Sequence, residues 1–261
     1  MVIPEGVTSV DGDVFSGCSN LASVTIPGCM LGRFDLRGIK KVVVQFGVTS
    51  IDDGAFVNSR DLVSVTLPSS VTNIGHAAFS GCSALTSVVI PESVTSIGAY
   101  AFCECSALTS VVIPEGVTRI EGETFLGCTA LTSVSIPASV THVEVGAFDM
   151  CSNLRQIYVS SENPVYFSAG SLLLRRDAWG DVLIYCAEGV SGAVTIPTGV
   201  NRIERYAFGN CIGMTSLTIP ASVWDLSYVD FSRCESLQQV HYLGNAPETE
   251  GGLYYGTPET L

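Results

Sequence analysis

The sequence predicts a strand-rich α/β solenoid of about ten stacked rungs, and three observations carry this prediction. A proline that follows an apolar residue recurs along the chain, most often at intervals of 23 residues, and a phenylalanine recurs at the same interval. Between these marks, apolar residues alternate with serine and threonine, which is typical of short, half-buried strands. The hydrophobic content of 47% is enough for a continuous core.

Two columns of residues mark the repeat. The prolines are Pro4, Pro27, Pro68, Pro91, Pro114, Pro137, Pro197 and Pro220, and the phenylalanines are Phe15, Phe56, Phe79, Phe102, Phe125, Phe148, Phe208 and Phe231. A single unit of this length cannot bury its own apolar face, so the units must stack on one another. We therefore predict that residues 1–261 form a single solenoid with the phenylalanine column in its core.

Three segments depart from the regular period. Residues 27–45 form an irregular short repeat, in which Gln45 takes the place of the proline. The longest step between two prolines holds one repeat and an insertion at about residues 160–191. Residues 237–261 follow the last regular unit.

Each element of the repeat can be justified from one unit. Residues 85–90 match the L-x-x-L-x-L core of a leucine-rich repeat and predict a strand, with alternate residues such as Ser87 and Val89 facing outward. The following proline ends this strand, because it cannot donate to the ladder. Residues 94–97 predict a second short strand, and Gly98 predicts a tight bend. Residues 101–105 predict a helical turn with a phenylalanine and a cysteine facing inward.

The combined pattern, L-x-x-V-x-I-P-x-x-V-x-x-I-G-x-x-A-F-x-x-C, resembles the BspA-like leucine-rich repeats of bacterial surface proteins and of some parasitic protists. The likeness covers nearly the whole chain. The segment at residues 162–185 resembles that family's hairpin insertion, and residues 244–258 resemble its C-terminal unit. The resemblance implies a non-enzymatic module for adhesion or protein binding, in an extracellular or cell-surface setting.

Composition excludes several classes of partner. Acidic residues outnumber basic ones 25 to 12, and the net charge of −13 disfavours nucleic acid, which requires a basic face. The longest apolar runs, at residues 42–44 and 172–174, are far shorter than the roughly 18 residues that a membrane span needs. The first residues carry no leader pattern and enter a repeat part-way through, so we expect a fragment of a longer protein. The surface location therefore rests on the resemblance.

Seven of the ten cysteines occupy one column of the repeat: Cys18, Cys82, Cys105, Cys128, Cys151, Cys211 and Cys234. Ten cysteines could indicate a disulfide framework. Equivalent side chains of stacked rungs, however, lie about 4.8 Å apart and point in parallel, whereas a disulfide needs converging Cβ atoms about 3.8 Å apart. We therefore predict reduced thiols that pack as small hydrophobes. Cys103 and Cys105 lack the spacing of a zinc site, and we expect no metal and no cofactor.

The remaining ionisable residues do not suggest a reaction. The three histidines, His76, His142 and His241, fall in different units at different positions of the repeat, so nothing indicates that they converge. The carboxylates at residues 11–13 and 52–53 lack the spacing of a calcium loop and are interpreted as solvated bends. The sequence contains none of the nucleophile, metal-protease or phosphate-binding motifs. We therefore predict that the chain is not an enzyme.

The predicted sheet face is flat, small and uncharged, with one exception. The candidate ligand-binding residues are Arg155, Gln156, Tyr158, Arg175, Arg176 and Trp179. Arginine, tyrosine and tryptophan are the residue types that dominate binding energy at interfaces. The favoured function is adhesion or binding of a protein or extracellular-matrix-like ligand. Two alternatives stay open: the chain is a structural spacer that displays other domains of a surface protein, or the insertion only covers a step in the solenoid and Trp179 packs locally.

Overall fold

The computed structural model describes residues 1–4, 6–7, 14–15, 18, 21–32, 35–226, 229–231 and 233–244. The predicted carboxylate pair at residues 11–13 and residues 245–261 of the predicted C-terminal unit lie outside the described residues. The chain divides into two compact units. Unit 1 comprises Met1–Leu131 and Ser139–Cys151, and unit 2 comprises Thr132–Ala138 and Ser152–Leu261.

Short strands dominate both units. In chain order they are β1 (Ser23–Ile26), β2 (Lys41–Val44), β3 (Ser50–Ile51), β4 (Ser64–Thr66), β5 (Asn73–Ile74), β6 (Ser87–Val89), β7 (Ser96–Ile97), β8 (Ser110–Val112), β9 (Arg119–Ile120), β10 (Ser133–Ile136), β11 (His142–Val143), β12 (Gln156–Val159), β13 (Tyr166–Ala169), β14 (Leu172–Arg175), β15 (Asp181–Cys186), β16 (Ser191–Thr195), β17 (Val200–Ile203), β18 (Gly213–Ile219) and β19 (Gln239–Tyr242). A 3-10 helix at Gly28–Met30 follows β1.

Unit 1 stacks its repeats through two parallel sheets. The longer strands pair in the order β1-β2-β4-β6, and the shorter strands pair in the order β3-β5-β7. In each regular pairing the partners are 23 residues apart, as for Val65 with Val88 and Ile74 with Ile97. The predicted outward positions are confirmed, because Val89 and Val112 are exposed. Val88, which directly precedes Val89 in β6, is buried, as the alternation predicts. Each repeat thus contributes one rung to each sheet.

The interior of unit 1 contains a continuous stack of phenylalanine rings. Its members are Phe56, Phe79, Phe102, Phe125 and Phe148. Successive ring centroids lie 5.0–5.6 Å apart, and the rings are within 8° of parallel. These side chains are buried, so the prediction of a core phenylalanine column is confirmed.

The segments that carry phenylalanine and cysteine are turns, and the predicted helical turn is wrong. In these segments the backbone N–H of Phe79 donates to the carbonyl oxygen of Ala101 in the next repeat at 2.8 Å, and Gly81 donates to Cys103 at 2.8 Å. Because these N–H groups donate to the turn of the neighbouring repeat, they cannot form the i→i−4 bonds of an α-helix. The result is a strand-rich, nearly helix-free β-solenoid fold of about nine turns over the described residues. The α/β label and the count of ten rungs are not confirmed.

Gly98 serves close packing between repeats. A Cβ atom at this position would lie 2.7 Å from the backbone nitrogen of His76 and 2.8 Å from the carbonyl carbon of Gly75. Gly75 has the same relation to the repeat before it, where a Cβ atom would lie 2.7 Å from the backbone nitrogen of Asp53. The glycine column therefore allows the backbones of neighbouring turns to approach, which is a different reason from the predicted tight bend.

Unit 2 contains both parallel rungs and an antiparallel hairpin. β10 pairs with β12 in parallel, and β16, β18 and β19 form a parallel sheet. Between them, β13 and β14 form an antiparallel hairpin, which continues through antiparallel β15 to parallel β17. Leucines from β14 and β15 join the same apolar core as the phenylalanine column of this unit, represented by Phe208 and Phe231. The inserted strands are thus part of the core of unit 2.

Helices contribute little to the part of the chain that the structure describes. None of the helices found there has the length and apolar character that a membrane crossing requires.

Candidate functional site

The exposed side of β12 carries one group of the predicted ligand-binding residues. β12 alternates between exposed and buried side chains, with Ile157 in the core and Gln156 and Tyr158 facing solvent. Arg155, directly before the strand, is also exposed. Tyr158 keeps 55% of its surface exposed and lies opposite Ser135 of β10. An extended strand alternates its side chains, so the same local rule that buries Ile157 presents Tyr158 to solvent.

The base of the hairpin is held by Asn163, a residue that the sequence did not single out as important. Asn163 is 2% exposed, and its amide nitrogen donates to the carbonyl oxygen of Pro137 at 2.7 Å. Its side-chain oxygen accepts from the backbone nitrogens of Val165 at 2.9 Å and Tyr166 at 2.7 Å. One buried amide thus fixes the point at which the chain enters β13. The sequence signal was an asparagine before a proline, which is typical of a turn.

Arg176 is predicted to contact a ligand, and its guanidinium already has several contacts within the hairpin. Nη1 donates to the carbonyl oxygens of Asn163 at 2.8 Å and Tyr166 at 2.6 Å. The guanidinium carbon also lies 5.0 Å from the centroid of the Phe167 ring, within the range of a cation–π contact. Arg176, directly after β14, therefore links the end of β14 to the start of β13.

Arg175 and Trp179 form the second part of the predicted set, in which Arg175 is half-buried and Trp179 is exposed. Nη2 of Arg175 lies 3.5 Å from the carboxylate oxygen of Glu204, beside Arg202, which lies at the same distance from that oxygen. Trp179, in the turn before β15, is 88% exposed, so the alternative in which it packs locally is not what the structure shows. Its carbonyl oxygen accepts a hydrogen bond from the side-chain amide of Asn201 on β17.

The six predicted residues therefore fall into two groups. Arg155, Gln156 and Tyr158 share β12, while Arg175, Arg176 and Trp179 lie at the far end of the hairpin from its β13–β14 turn. β12 contacts both hairpin strands, and the backbone nitrogen of Val159 donates to Oγ of Ser168 on β13 at 3.3 Å. The β13–β14 turn is the end of the hairpin that lies beside β12, since the backbone nitrogen of Ile157 donates to the carbonyl oxygen of Gly170 at 3.3 Å. The second group lies at the opposite end.

Sequence reasoning missed Trp224. This indole is 67% exposed and lies one rung beyond Asn201, because the Trp224 backbone nitrogen donates to the carbonyl oxygen of Asn201 at 3.4 Å. An alignment of the repeats by their prolines would have shown it, because Trp224 occupies the position held by Thr95 in a regular unit.

The described cysteine side chains are free thiols, and two of the histidines contact a polar side chain nearby in the chain. The structure has nine cysteines as free thiols among the residues it describes. Burial raises the pKa of Cys82 and of Cys128 to about 12, so these thiols stay protonated at neutral pH. His142 contacts Glu144 at 3.1 Å, and His241 contacts Gln239 at 3.2 Å. Among the described residues, no group of three or more potential metal ligands is arranged to hold an ion.

Solved structures of bacterial leucine-rich repeat proteins share this fold. A leucine-rich repeat protein from Eubacterium ventriosum superposes with a TM-score of 0.62 and 24% identity over 80% of this chain and 62% of its own. One from Bacteroides ovatus gives a TM-score of 0.61 and 19% identity over 93% and 68% of the two chains. The pneumococcal vaccine antigen PcpA gives 0.52 and 20% over 87% and 52%. This chain thus spans less than two thirds of the Eubacterium ventriosum protein.

Sequence comparison identifies the repeat directly. A search of curated proteins found no match. The sequence model of the BspA type leucine rich repeat region matches in six copies, over residues 1–31, 32–164 and 189–257. The unmatched residues 165–188 contain the hairpin strands β13 and β14, which are the irregular part of the described structure. Because the matched segments cover most of the sequence and the structure forms the stacked rungs that the repeat predicts, the chain belongs to the BspA type leucine-rich repeat family.

Proposed function

We propose that this chain is a non-enzymatic protein-interaction module that serves adhesion at an extracellular or cell-surface location. The family membership supports a module of this kind, since repeat stacks expose long surfaces that suit macromolecular partners. The partner is a protein or an extracellular-matrix-like ligand. The excess of acidic residues disfavours nucleic acid as the partner.

The observation that carries the proposal is the exposed side of β12. Most of the corresponding positions elsewhere hold small side chains, such as Ser87 on β6 and Ser135 on β10, which offer little contact area, although β19 carries Gln239 and His241. β12 instead presents Tyr158, flanked by Arg155 and Gln156. Tyrosine combines a large contact area with few rotamers, and arginine supplies a fork of hydrogen-bond donors.

The end of the hairpin extends this surface with Arg175 and Trp179. The fold holds the Arg175 side chain and the Trp179 backbone, since Glu204 lies 3.5 Å from the Arg175 guanidinium and Asn201 donates to the Trp179 carbonyl oxygen. A preordered surface loses less conformational entropy when it binds. We propose that Arg176 supports this arrangement from within the hairpin, because its guanidinium binds two carbonyl groups there.

The test measures binding of the purified chain to an immobilised, solubilised basement-membrane extract by surface plasmon resonance. We expect saturable binding that Tyr158→Ala and Arg155→Ala each weaken by about tenfold or more, which corresponds to about 1.4 kcal/mol. Tyr206→Ala is a matched control, because Tyr206 is 52% exposed in the turn after β17. Ser87→Ala on β6 is a second control.

Three results would contradict the proposal. Unchanged affinity of the Tyr158→Ala variant would exclude β12 as the binding surface. Loss of binding in the Ser87→Ala variant would indicate that the uniform part of the sheet is the recognition surface. Absence of binding by the unaltered chain would count against adhesion and favour the spacer function. Circular dichroism melting of each variant checks that the fold is retained.

A further inference from the structure

One column of the repeat changes its chemistry between the two units. In unit 1 the first residue after the valine of the second strand is an exposed threonine in five repeats: Thr49, Thr72, Thr95, Thr118 and Thr141. The hydroxyl of Thr72 donates to the carbonyl oxygen of Thr49 at 3.2 Å, and that of Thr95 donates to Thr72 at 3.3 Å. In unit 2 the same column holds Asn201 and Trp224, and Trp179 lies on the preceding rung, two residues before Asp181, which pairs with Val200.

Hydrogen bonds place the three unit 2 residues on successive rungs. The Asn201 side-chain amide donates to the carbonyl oxygen of Trp179, as the threonine hydroxyls do in unit 1. The backbone nitrogen of Trp224 donates to the carbonyl oxygen of Asn201 at 3.4 Å. Gly180 leaves room for this contact, since a Cβ atom there would collide with the Asn201 amide. The two tryptophans are therefore two rungs apart, which is about 10 Å along the stack.

Both tryptophans are exposed to solvent, Trp179 over 88% of its surface and Trp224 over 67%. Large aromatic side chains in a soluble protein are usually buried, so an exposed pair marks an interaction site. Neither indole packs against another ring among the described residues, so both rings are accessible to a ligand.

The surroundings of the pair are polar. Arg202 follows Asn201 and pairs with Asp225 through a backbone bridge, while its guanidinium lies 3.5 Å from Glu204. Arg202, Ile203, Glu204, Arg205 and Asp225 line an open groove of about 410 Å³, and two of them are the chain neighbours of Asn201 and Trp224. Separated aromatic faces within a charged rim suit a ligand that alternates apolar faces with hydrogen-bonding edges.

We propose that Trp179, Asn201 and Trp224 form a binding site for a neutral, extended oligosaccharide. Pyranose rings have apolar C–H faces, which stack on the electron-rich face of an indole, and hydroxyl edges that can bond with Arg202 and Asp225. The span between the tryptophans fits two linked sugar rings. The rim holds both charge signs and the chain is acidic overall, which favours a neutral glycan over a polyanion. The site shares Trp179 with the hairpin end of the proposed protein-binding surface, but it does not include β12 and does not require that β12 bind a protein.

The chain offers a direct reporter, because its only two tryptophans are Trp179 and Trp224. The test titrates the purified chain with cellohexaose, mannohexaose, xylohexaose and chitohexaose and follows tryptophan fluorescence and its quenching by acrylamide. We expect at least one hexasaccharide to shift the emission to shorter wavelength and to lower the quenching constant at least twofold, since stacked indoles are shielded from water and quencher.

Variants then localise the binding by isothermal titration calorimetry with the same hexasaccharide. Trp179→Ala and Trp224→Ala should each weaken binding by about tenfold or more. Thr95→Ala removes a side chain from the equivalent column in unit 1 and should change nothing. Tyr158→Ala should also leave this binding intact, which separates this site from the β12 part of the proposed protein-binding surface.

The proposal is overturned if none of the four hexasaccharides shields the indoles, or if binding persists in both tryptophan variants. Shielding by a proline-rich peptide in place of the sugars would show that the tryptophan pair recognises protein, and would also overturn it. Neither result would affect the test on β12, because Tyr158 takes no part in this site.

Discussion

The thiol of Cys128 donates a hydrogen bond to the backbone carbonyl oxygen of Phe102 in the preceding repeat, with a distance of 3.2 Å between Sγ and the oxygen. The same bond joins Cys82 to Phe56 at 3.1 Å and Cys105 to Phe79 at 3.2 Å. A thiolate could not donate these bonds, so the arrangement requires the protonated, reduced form. The cysteine column thus helps to satisfy backbone carbonyls inside the core.

This relationship predicts the reactivity of the cysteines. Because burial raises the pKa of Cys82 and Cys128 to about 12, neither should react with iodoacetamide in the native protein near pH 8, whereas the exposed Cys18 should be modified. All of these cysteines should react once the chain is unfolded without reductant. Peptide mass mapping measures both states. A disulfide between Cys82 and Cys105 would contradict the prediction.

The phenylalanine stack should dominate the stability of unit 1. Phe102 is fully buried, and its ring lies 5.3 Å from that of Phe79 and 5.6 Å from that of Phe125. Replacing Phe102 with Ala should lower the free energy of unfolding by about 3–5 kcal/mol, because it leaves a cavity between two rigid neighbours. Urea denaturation measures the change. Val112→Ala, at an exposed position of β8, is the control and should have a small effect; a similarly small effect of Phe102→Ala would refute the core assignment.

The carboxyl group of Asp149 should make stability depend on pH. Burial, and next the negative charge of Glu123, raise the pKa of Asp149 above its ordinary value. The folded state therefore favours the protonated carboxyl, and the ionised form destabilises the fold at pH values above its folded pKa. Asp149→Asn should raise the melting temperature at neutral pH. The gain should shrink as the pH falls through the folded pKa, and should vanish below the unfolded value of about 3.9.

Thermal melts of both proteins from neutral to acidic pH measure this difference. Asp52→Asn, at an exposed bend, is the matched control and should show no comparable gain. A gain for Asp149→Asn that stays constant across the whole pH range would show that ionisation is not its cause.

Asn163 should determine whether the hairpin stays in place. Substitution by Ala removes the donor to Pro137 and the acceptor for Val165 and Tyr166, and it leaves buried backbone groups unpaired. The expected loss is about 1–3 kcal/mol of unfolding free energy, with faster cleavage of the hairpin in limited proteolysis. Glu162→Ala, at the exposed neighbouring position, is the control. Equal proteolysis of the two variants would contradict the role of Asn163.

The periodicity of the sequence is enough to predict several parts of the fold. The 23-residue interval predicted which residues pair between repeats, such as Val65 with Val88, and the alternation along each strand predicted which side chains are buried. Both follow from local geometry, because a strand alternates its faces and identical units stack in register. The same rule identified Tyr158 as exposed.

Other features depend on contacts between repeats and could be seen only in the folded structure. The turn before Cys105 is not helical, because backbone N–H groups such as that of Phe102 donate to the adjacent repeat, in this case to Thr124 at 2.9 Å. No local propensity encodes this choice. In the same way, the Asn201 amide donates to the carbonyl oxygen of Trp179, and the Trp224 backbone nitrogen donates to that of Asn201, so the three residues lie on successive rungs. The sequence could not have predicted this arrangement, because Trp179 lies in the insertion, which breaks the period.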